Sequence, residues 1–358
     1  MTEENKKTIN KNFIISGIKV LSFIIVFVLI LEILSGTIFS KSAATKYKNK
    51  HQNAYAYTQE VKNSIQIVAI GNSDLYSAFM PVKLWSEYGY TSTVIASPRQ
   101  TVMESYTILL DVLKTQSPKV VLIETDMIYN GIDLVLDTDV KIENKIKDRV
   151  PHIPYLTDDA LTQSIKNHFS LFTLHDRWKT MLTDSIKNTA NNIVQMETDN
   201  CEHGYFFSKK RHKSYRNNNM KETETIEAIP QDALIYLDKI YEVCQKEGIQ
   251  LVLAEVPSLN SWSYPRHSAV MQYAQEKEID FVDLNMHFKD LHLNVRRDFR
   301  DKGNHLNYAG ARKATMFLGE YLNTNYSFIL EDNRNNPDYA YWNDDVETFI
   351  EKNKITVF

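Results

Sequence analysis

Residues Ile65 to Asp74 read Ile-Gln-Ile-Val-Ala-Ile-Gly-Asn-Ser-Asp: an apolar, β-branched run of strand length that stops at a glycine and then presents a serine. A strand that is apolar on both faces belongs inside a parallel sheet covered on both sides. In open α/β sheets ligands bind just past the carboxyl ends of the strands, which makes Ser73 a candidate nucleophile on a βα turn. The same residues allow a plainer reading. Asn72, Ser73 and Asp74 are all good helix N-caps, and a cap needs no chemistry.

The strand rhythm recurs along the chain. Pro81 to Tyr88 predicts a short helix, Thr93 to Ala96 a second strand, and Val102 to Lys114 a helix that ends before Pro118. Lys119 to Thr125 is a further buried strand. After an interruption come a helix from Pro230 to Glu247, a strand from Gln250 to Val256, a helix ending near Glu278 and a short strand from Asp280 to Leu284. This alternation predicts a parallel sheet with helices on both faces. The interruption, residues 132–225, is charged, holds Pro151 and Pro154, and carries the basic run Lys209-Lys210-Arg211-His212-Lys213. A segment of that length should contain helices of its own. Basic residues beside a site can steer an anionic polymer or lipid headgroup, although a solvated loop explains the run as well.

Near the other end, Asp298 to Gly310 reads Asp-Phe-Arg-Asp-Lys-Gly-Asn-His-Leu-Asn-Tyr-Ala-Gly, followed by a helix-like run from Ala311 to Leu322. A serine hydroxyl is a poor nucleophile without an adjacent base, and His305 can serve as one. Together with Gly71-Asn72-Ser73-Asp74, this stretch resembles the SGNH (GDSL-like) hydrolase superfamily, in which the serine follows the first strand and an aspartate and histidine precede the last helix. The resemblance implies a three-layer α/β/α domain over residues 64–323 with a parallel SGNH-like (flavodoxin-like) sheet. It also implies a Ser73, His305 and aspartate site. The superfamily's aspartate usually lies three residues before the histidine. Here Lys302 holds that position, so Asp301 is the expected partner and Asp298 the reserve. The superfamily's oxyanion donors are the serine N–H, a glycine after the second strand and an asparagine after the third. Neither of the last two is evident in Ser97-Pro98-Arg99-Gln100 or Glu124-Thr125-Asp126. Ser73, Gln100 and, more distantly, Asn130 are the candidates. Asp74, Trp262 and His267 are expected at the substrate cleft, the last two with packing as an equal alternative.

The first twelve residues are polar and include Lys6, Lys7 and Lys11, and Phe13 to Phe39 is overwhelmingly apolar. About 20 such residues span a bilayer as a helix, and the stretch is longer than a usual cleavable leader. The expected plan is a cytoplasmic 1–12, a single transmembrane anchor 13–39, a stalk 40–63, the catalytic domain, and an acidic, aromatic tail 324–358. Lysines flank both sides of the span, so the outside location of the domain rests on the resemblance to anchored bacterial members rather than on charge. The net charge of −4 gives no case for nucleic-acid binding. Scattered histidines and the two cysteines, Cys201 and Cys244, fit no metal-ligand spacing, and no cofactor is expected.

The resemblance implies ester hydrolysis or O-acyl transfer on a cell-envelope glycan or acylated polymer, with a membrane-bound O-acyltransferase as a partner. The alternative is a non-catalytic binding or scaffold protein of the same fold.

Overall fold

Five parallel strands form one sheet in the order β2-β1-β3-β4-β5: β1 Ile67–Gly71, β2 Ser92–Ala96, β3 Val120–Glu124, β4 Gln250–Glu255 and β5 Asp280–Asp283. This is the flavodoxin-like order, whose switch point lies between β1 and β3. The structure, a computed structural model, describes residues 3–36, 52–131, 169, 171–174, 200–356 and 358. Residues 40–51 of the expected stalk, and residues 132–168 of the expected insertion, lie outside the described residues, as do most of residues 169–199.

The chain divides into two units, Met1–Tyr47 with Asp137–Met196, and Lys48–Leu136 with Glu197–Phe358. In the first, helix α1 runs Glu3–Gly36. Its segment Phe13–Ser35, 23 residues, is long and apolar enough to cross a membrane. Its side chains are mostly exposed, Phe13 and Phe23 among them, as a lipid-facing helix requires.

The second unit holds the sheet. Side chains alternate across a strand, and one set of alternates packs as a core: Ile67 and Ala69, Val120 and Leu122, Val252 and Ala254. Above them lie α3 (Pro81–Tyr88), reached through the one-turn α2 (Leu75–Ala78), and α8 (Tyr308–Tyr326). The other alternates, Val68, Ile70, Val121 and Ile123, are equally buried. They face α4 (Val102–Val112) and α6 (Gln231–Glu247), which pack on one another. A one-turn α5 (Leu171–Leu174) belongs to the first unit, and α7 (Tyr264–Lys277) connects β4 to β5. Three layers result. α4 starts from a full capping box, with Thr101 and Glu104 each serving the other's backbone. α3 and α6 end at Gly89 and Gly248 in left-handed conformation.

Within the expected insertion the described residues include the one-turn helix α5, and residues 200–225 are irregular. The latter are tied down by backbone bonds: Tyr308 N–H donates to Ser208 O, His212 N–H to Phe299 O and Val94 N–H to His203 O. The last of these covers the edge strand β2, which would otherwise stay open to intermolecular pairing. Cys201 and Cys244 are both buried, and neither forms a disulfide.

The acidic, aromatic tail folds back on the second unit as α9, Tyr341–Lys352. Trp342 is fully buried, stacked on His203 at 3.7 Å and on Trp85 at 5.5 Å. Phe349 fills the space beside Tyr205 and Phe207. His203 Nδ1 lies 2.9 Å from Glu60 and Nε2 lies 3.3 Å from Asp345. Burial opposes the imidazolium, but the two carboxylates outweigh it and raise the pKa to about 9. A folded pKa above the unfolded value stabilises fully below about pH 6.5, and that stabilisation is lost as pH rises through about 9. We therefore expect the melting temperature to fall between pH 7 and 10, and His203→Gln to flatten that fall. Parallel melting curves for the two proteins across this range would refute the assignment.

Candidate active site

The turn that presents Ser73 is built from β1 and β3 together. A Cβ at Gly71 would stand 2.5 Å from Glu124 Cβ, so only glycine lets the Glu124 side chain lie across the end of β1. From there Glu124 Oε2 accepts the Asn72 N–H at 3.1 Å and Oε1 accepts the Asp126 N–H at 3.2 Å. Asn72 Nδ2 donates to Asp126 Oδ2 at 2.9 Å, and Asn72 Oδ1 accepts the Asp74 N–H at 2.8 Å. Asn72 is thus the clip of the turn. Ser73 is not a cap: Asp74 occupies the N-cap position of α2, and no side chain caps that helix.

His305 reaches Ser73 from the loop before α8. Its Nε2 lies 2.9 Å from Ser73 Oγ, and its Nδ1 is bonded to Asp301 Oδ2. Asp301 Oδ1 accepts the N–H groups of Gly303, Asn304 and His305 at 2.9–3.1 Å. The four-residue spacing is therefore a tight turn closed on the carboxylate itself. Gly303 makes the turn possible, with φ +116° and a would-be Cβ 2.8 Å from Leu259. Burial works against the Asp301 charge, but the bonds from His305 and the backbone hold its pKa well below the ordinary range. The reserve candidate Asp298 faces elsewhere. Its Oδ2 accepts the Asn294 N–H and pairs with Lys313, both at 2.7 Å.

The remaining expected residues separate clearly. The Ser73 N–H makes no hydrogen bond among the described residues and is open to an oxyanion. Gln100 is not so placed, contrary to expectation. It is fully buried, its amide N–H groups go to Ser105 Oγ and Ile95 O, and its backbone N–H goes to Ser97 O. Asn130 Nδ2 donates to Gln100 O at 3.2 Å, so this pair braces one loop rather than meeting Ser73. Asp74 does belong to the site: its Oδ1 is 3.4 Å from His305 Nε2 and its Oδ2 accepts from Ser261 Oγ at 2.8 Å. Burial, then the charge of Asp126, push its pKa well above the usual carboxylate range. Trp262 is fully buried and borders a polar cleft, its indole N–H given to Asp283 at 2.8 Å. His267 is turned away from the cleft and bonds the same Asp283 oxygen at 2.7 Å, which is packing rather than cleft wall.

Sequence reasoning missed two neighbours. Arg300, next to Asp301, is buried with its guanidinium 4.6 Å from the Phe206 ring and 5.6 Å from the Tyr76 ring. Tyr76 Oη and the Arg300 guanidinium are buried facing one another, close to Ser73. Burial raises the Tyr76 pKa to about 12, with Arg300 pulling the other way. Ser261, which links Asp74 to the cleft, was the second. Its signal was position, on the segment that follows the carboxyl end of β4.

No protein-family model matches the chain, and no curated protein matches it in sequence. Among solved structures it is similar to a GDSL-like lipase from Bacteroides thetaiotaomicron, at 11% identity and a TM-score of 0.36, over 79% of this chain and 99% of that one. It is also similar to a protein described as an acylhydrolase from Bacteroides fragilis, at 11% identity and a TM-score of 0.34, over 78% of this chain and 97% of that one.

The contrast between the two aspartates is testable without substrate. The imidazole Nδ1–H proton held by Asp301 should give a downfield proton resonance that persists in Asp298→Asn and disappears in Asp301→Asn. Asp298→Asn should instead lower the melting temperature through the lost Lys313 pair. A resonance that survives Asp301→Asn would assign the orienting role elsewhere.

Proposed function

We propose that the chain is an SGNH-type serine enzyme of ester bonds, anchored by α1 with its catalytic unit outside the membrane. It acts as an acyl esterase or O-acyltransferase on a cell-envelope glycan or polymer. The observation that carries the reading is the continuous contact from Ser73 Oγ to His305 Nε2 and from His305 Nδ1 to Asp301. It is assembled from opposite ends of the domain at the carboxyl edge of one sheet, where such chemistry is found.

In this mechanism His305 Nε2 takes the Ser73 proton as Oγ attacks the acyl carbonyl. Asp301 keeps the imidazole in the Nδ1–H tautomer and stabilises the imidazolium. The Ser73 N–H meets the oxyanion of the tetrahedral intermediate. Collapse passes the proton from His305 to the departing alcohol oxygen and leaves an acyl ester on Ser73. Water, or a sugar hydroxyl, then gives its proton to His305, attacks that ester and returns Ser73 to its resting form. Transfer rather than hydrolysis would draw its acyl group from a membrane-bound O-acyltransferase, for which an anchored partner is well suited.

One observation favours the scaffold reading instead: Gln100 and Asn130 are occupied by one another and by the backbone, leaving the oxyanion with fewer donors than the superfamily supplies. The intact serine, histidine and aspartate chain outweighs it.

A fluorophosphonate probe should label the wild-type protein at Ser73 and fail to label Ser73→Ala. Ester turnover should fall by about 10³-fold or more in Ser73→Ala and by a similar factor in His305→Ala, because such groups act as a unit. An unlabelled wild type, or a fully active Ser73→Ala, would leave the scaffold. For the anchor, the protein should stay in the pellet after a carbonate wash, and external protease should digest the catalytic unit in spheroplasts. Recovery in a soluble cytoplasmic fraction would end that part of the reading.

A further inference from the structure

Connected to His305 through Ser261 and Asp74 is a cleft of about 490 Å³ whose lining includes Asn130, Asn219, Glu227, Asn260, Ser263 and Arg266. That volume falls within the range of small-molecule sites, roughly 300–1,000 Å³, but the lining is unlike an acyl-chain pocket. It is made of amides, hydroxyls and charged groups rather than aliphatic side chains.

The cleft is joined to the catalytic loops by hydrogen bonds. Asn260 Nδ2 donates to Asn304 Oδ1 at 2.8 Å and to Lys302 O at 3.0 Å, bracing the loop between Asp301 and His305. Ser261, also in the lining, gives its hydroxyl to Asp74, which in turn lies 3.4 Å from His305 Nε2.

The hydrogen-bonding capacity left over points to one ligand class. Asn260 spends both amide N–H groups on Lys302 O and Asn304 Oδ1, and Asn219 spends one of its two on Leu259 O. Their Oδ1 atoms, the Ser263 hydroxyl and Glu227 Oε2 accept nothing among the described residues. Several acceptors spaced around one small cleft match a molecule with several hydroxyl donors. Arg266, the cleft's cation, is already bound to Glu227 at 3.0 Å and Asp126 at 3.4 Å. It therefore has little charge to offer a phosphate or carboxylate, and the free Glu227 oxygen repels one.

We infer that this cleft is a sugar subsite: it binds a neutral polyhydroxyl ring on the alcohol side of the scissile ester, and so sets the acceptor or leaving group of the reaction. The inference rests on the serine-ester reading above for the role of the bound sugar, but the binding itself does not depend on it.

The test is calorimetric titration of the full-length protein in detergent with neutral trisaccharides of glucose, galactose, mannose and N-acetylglucosamine, with poly(glycerol phosphate) as the anionic control. At least one trisaccharide should bind, and Asn219→Leu and Ser263→Leu should each weaken it about tenfold while retaining a cooperative melt. The ratio of kcat/KM for the O-acetylated trisaccharide to that for 4-nitrophenyl acetate, which has no sugar, should fall by a similar factor. Absence of binding by every trisaccharide overturns the inference. So does equal affinity in wild type and both variants, or binding of the polyanion alone. The two readings fail separately. A protein that binds the saccharide but takes no fluorophosphonate loses the ester chemistry and keeps the subsite. A labelled protein that binds no saccharide does the reverse.

Discussion

The arrangement depends on one carboxyl group lying where a side chain would ordinarily stand. Glu124 at the end of β3 crosses above Gly71 at the end of β1 and takes the backbone N–H of Asn72 on one oxygen and that of Asp126 on the other. It ties the ends of two neighbouring strands at the switch point of the sheet, and so fixes the turn from which Ser73 projects. Any side chain at Gly71 would displace it. The group is fully buried, and burial, followed by the nearby Asp126 and Asp74, pushes its pKa well above the usual range. The two N–H groups it accepts pull the other way.

The same upward push acts through the region, on Asp74 and Glu255, first by burial. Asp301 is the opposite case, half-buried and held low by His305 and three backbone N–H groups. Two carboxyl groups thus flank the same imidazole with their pKa values driven in opposite directions. The ionised one sits at Nδ1, where it orients the ring. The one that burial pushes up sits 3.4 Å from Nε2, on the side that faces Ser73. Environments that drive paired acids apart are a recurrent way of dividing roles at neutral pH.

The sheet was readable because each of its strands is an apolar run bounded by turn residues, and the observed limits of β1 to β5 lie within a few residues of those runs. The contacts of the candidate site were half readable. Ser73 and His305 stand at the ends of recognisable elements. The competition between Asp301 and Asp298 was decided by a turn closed through Gly303 and by Lys313, which spacing alone does not reveal. Gln100 misled because a polar residue after a strand suggests a site, and nothing in the sequence says that its amide is consumed by Ser105 and Ile95. Trp262 and His267 converge on Asp283, a contact between the start of α7 and the end of β5 that no local pattern encodes.

His203 stands between Glu60, ahead of the first strand, and Asp345, in the last helix, with Trp342 against its face. The domain is therefore laced shut from both of its ends. During synthesis the serine emerges early and its histidine late, and the lacing can be tied only when the final helix has left the ribosome. Until then Ser73 and His305 are both in the chain, but the clamp on His203 is open at one end.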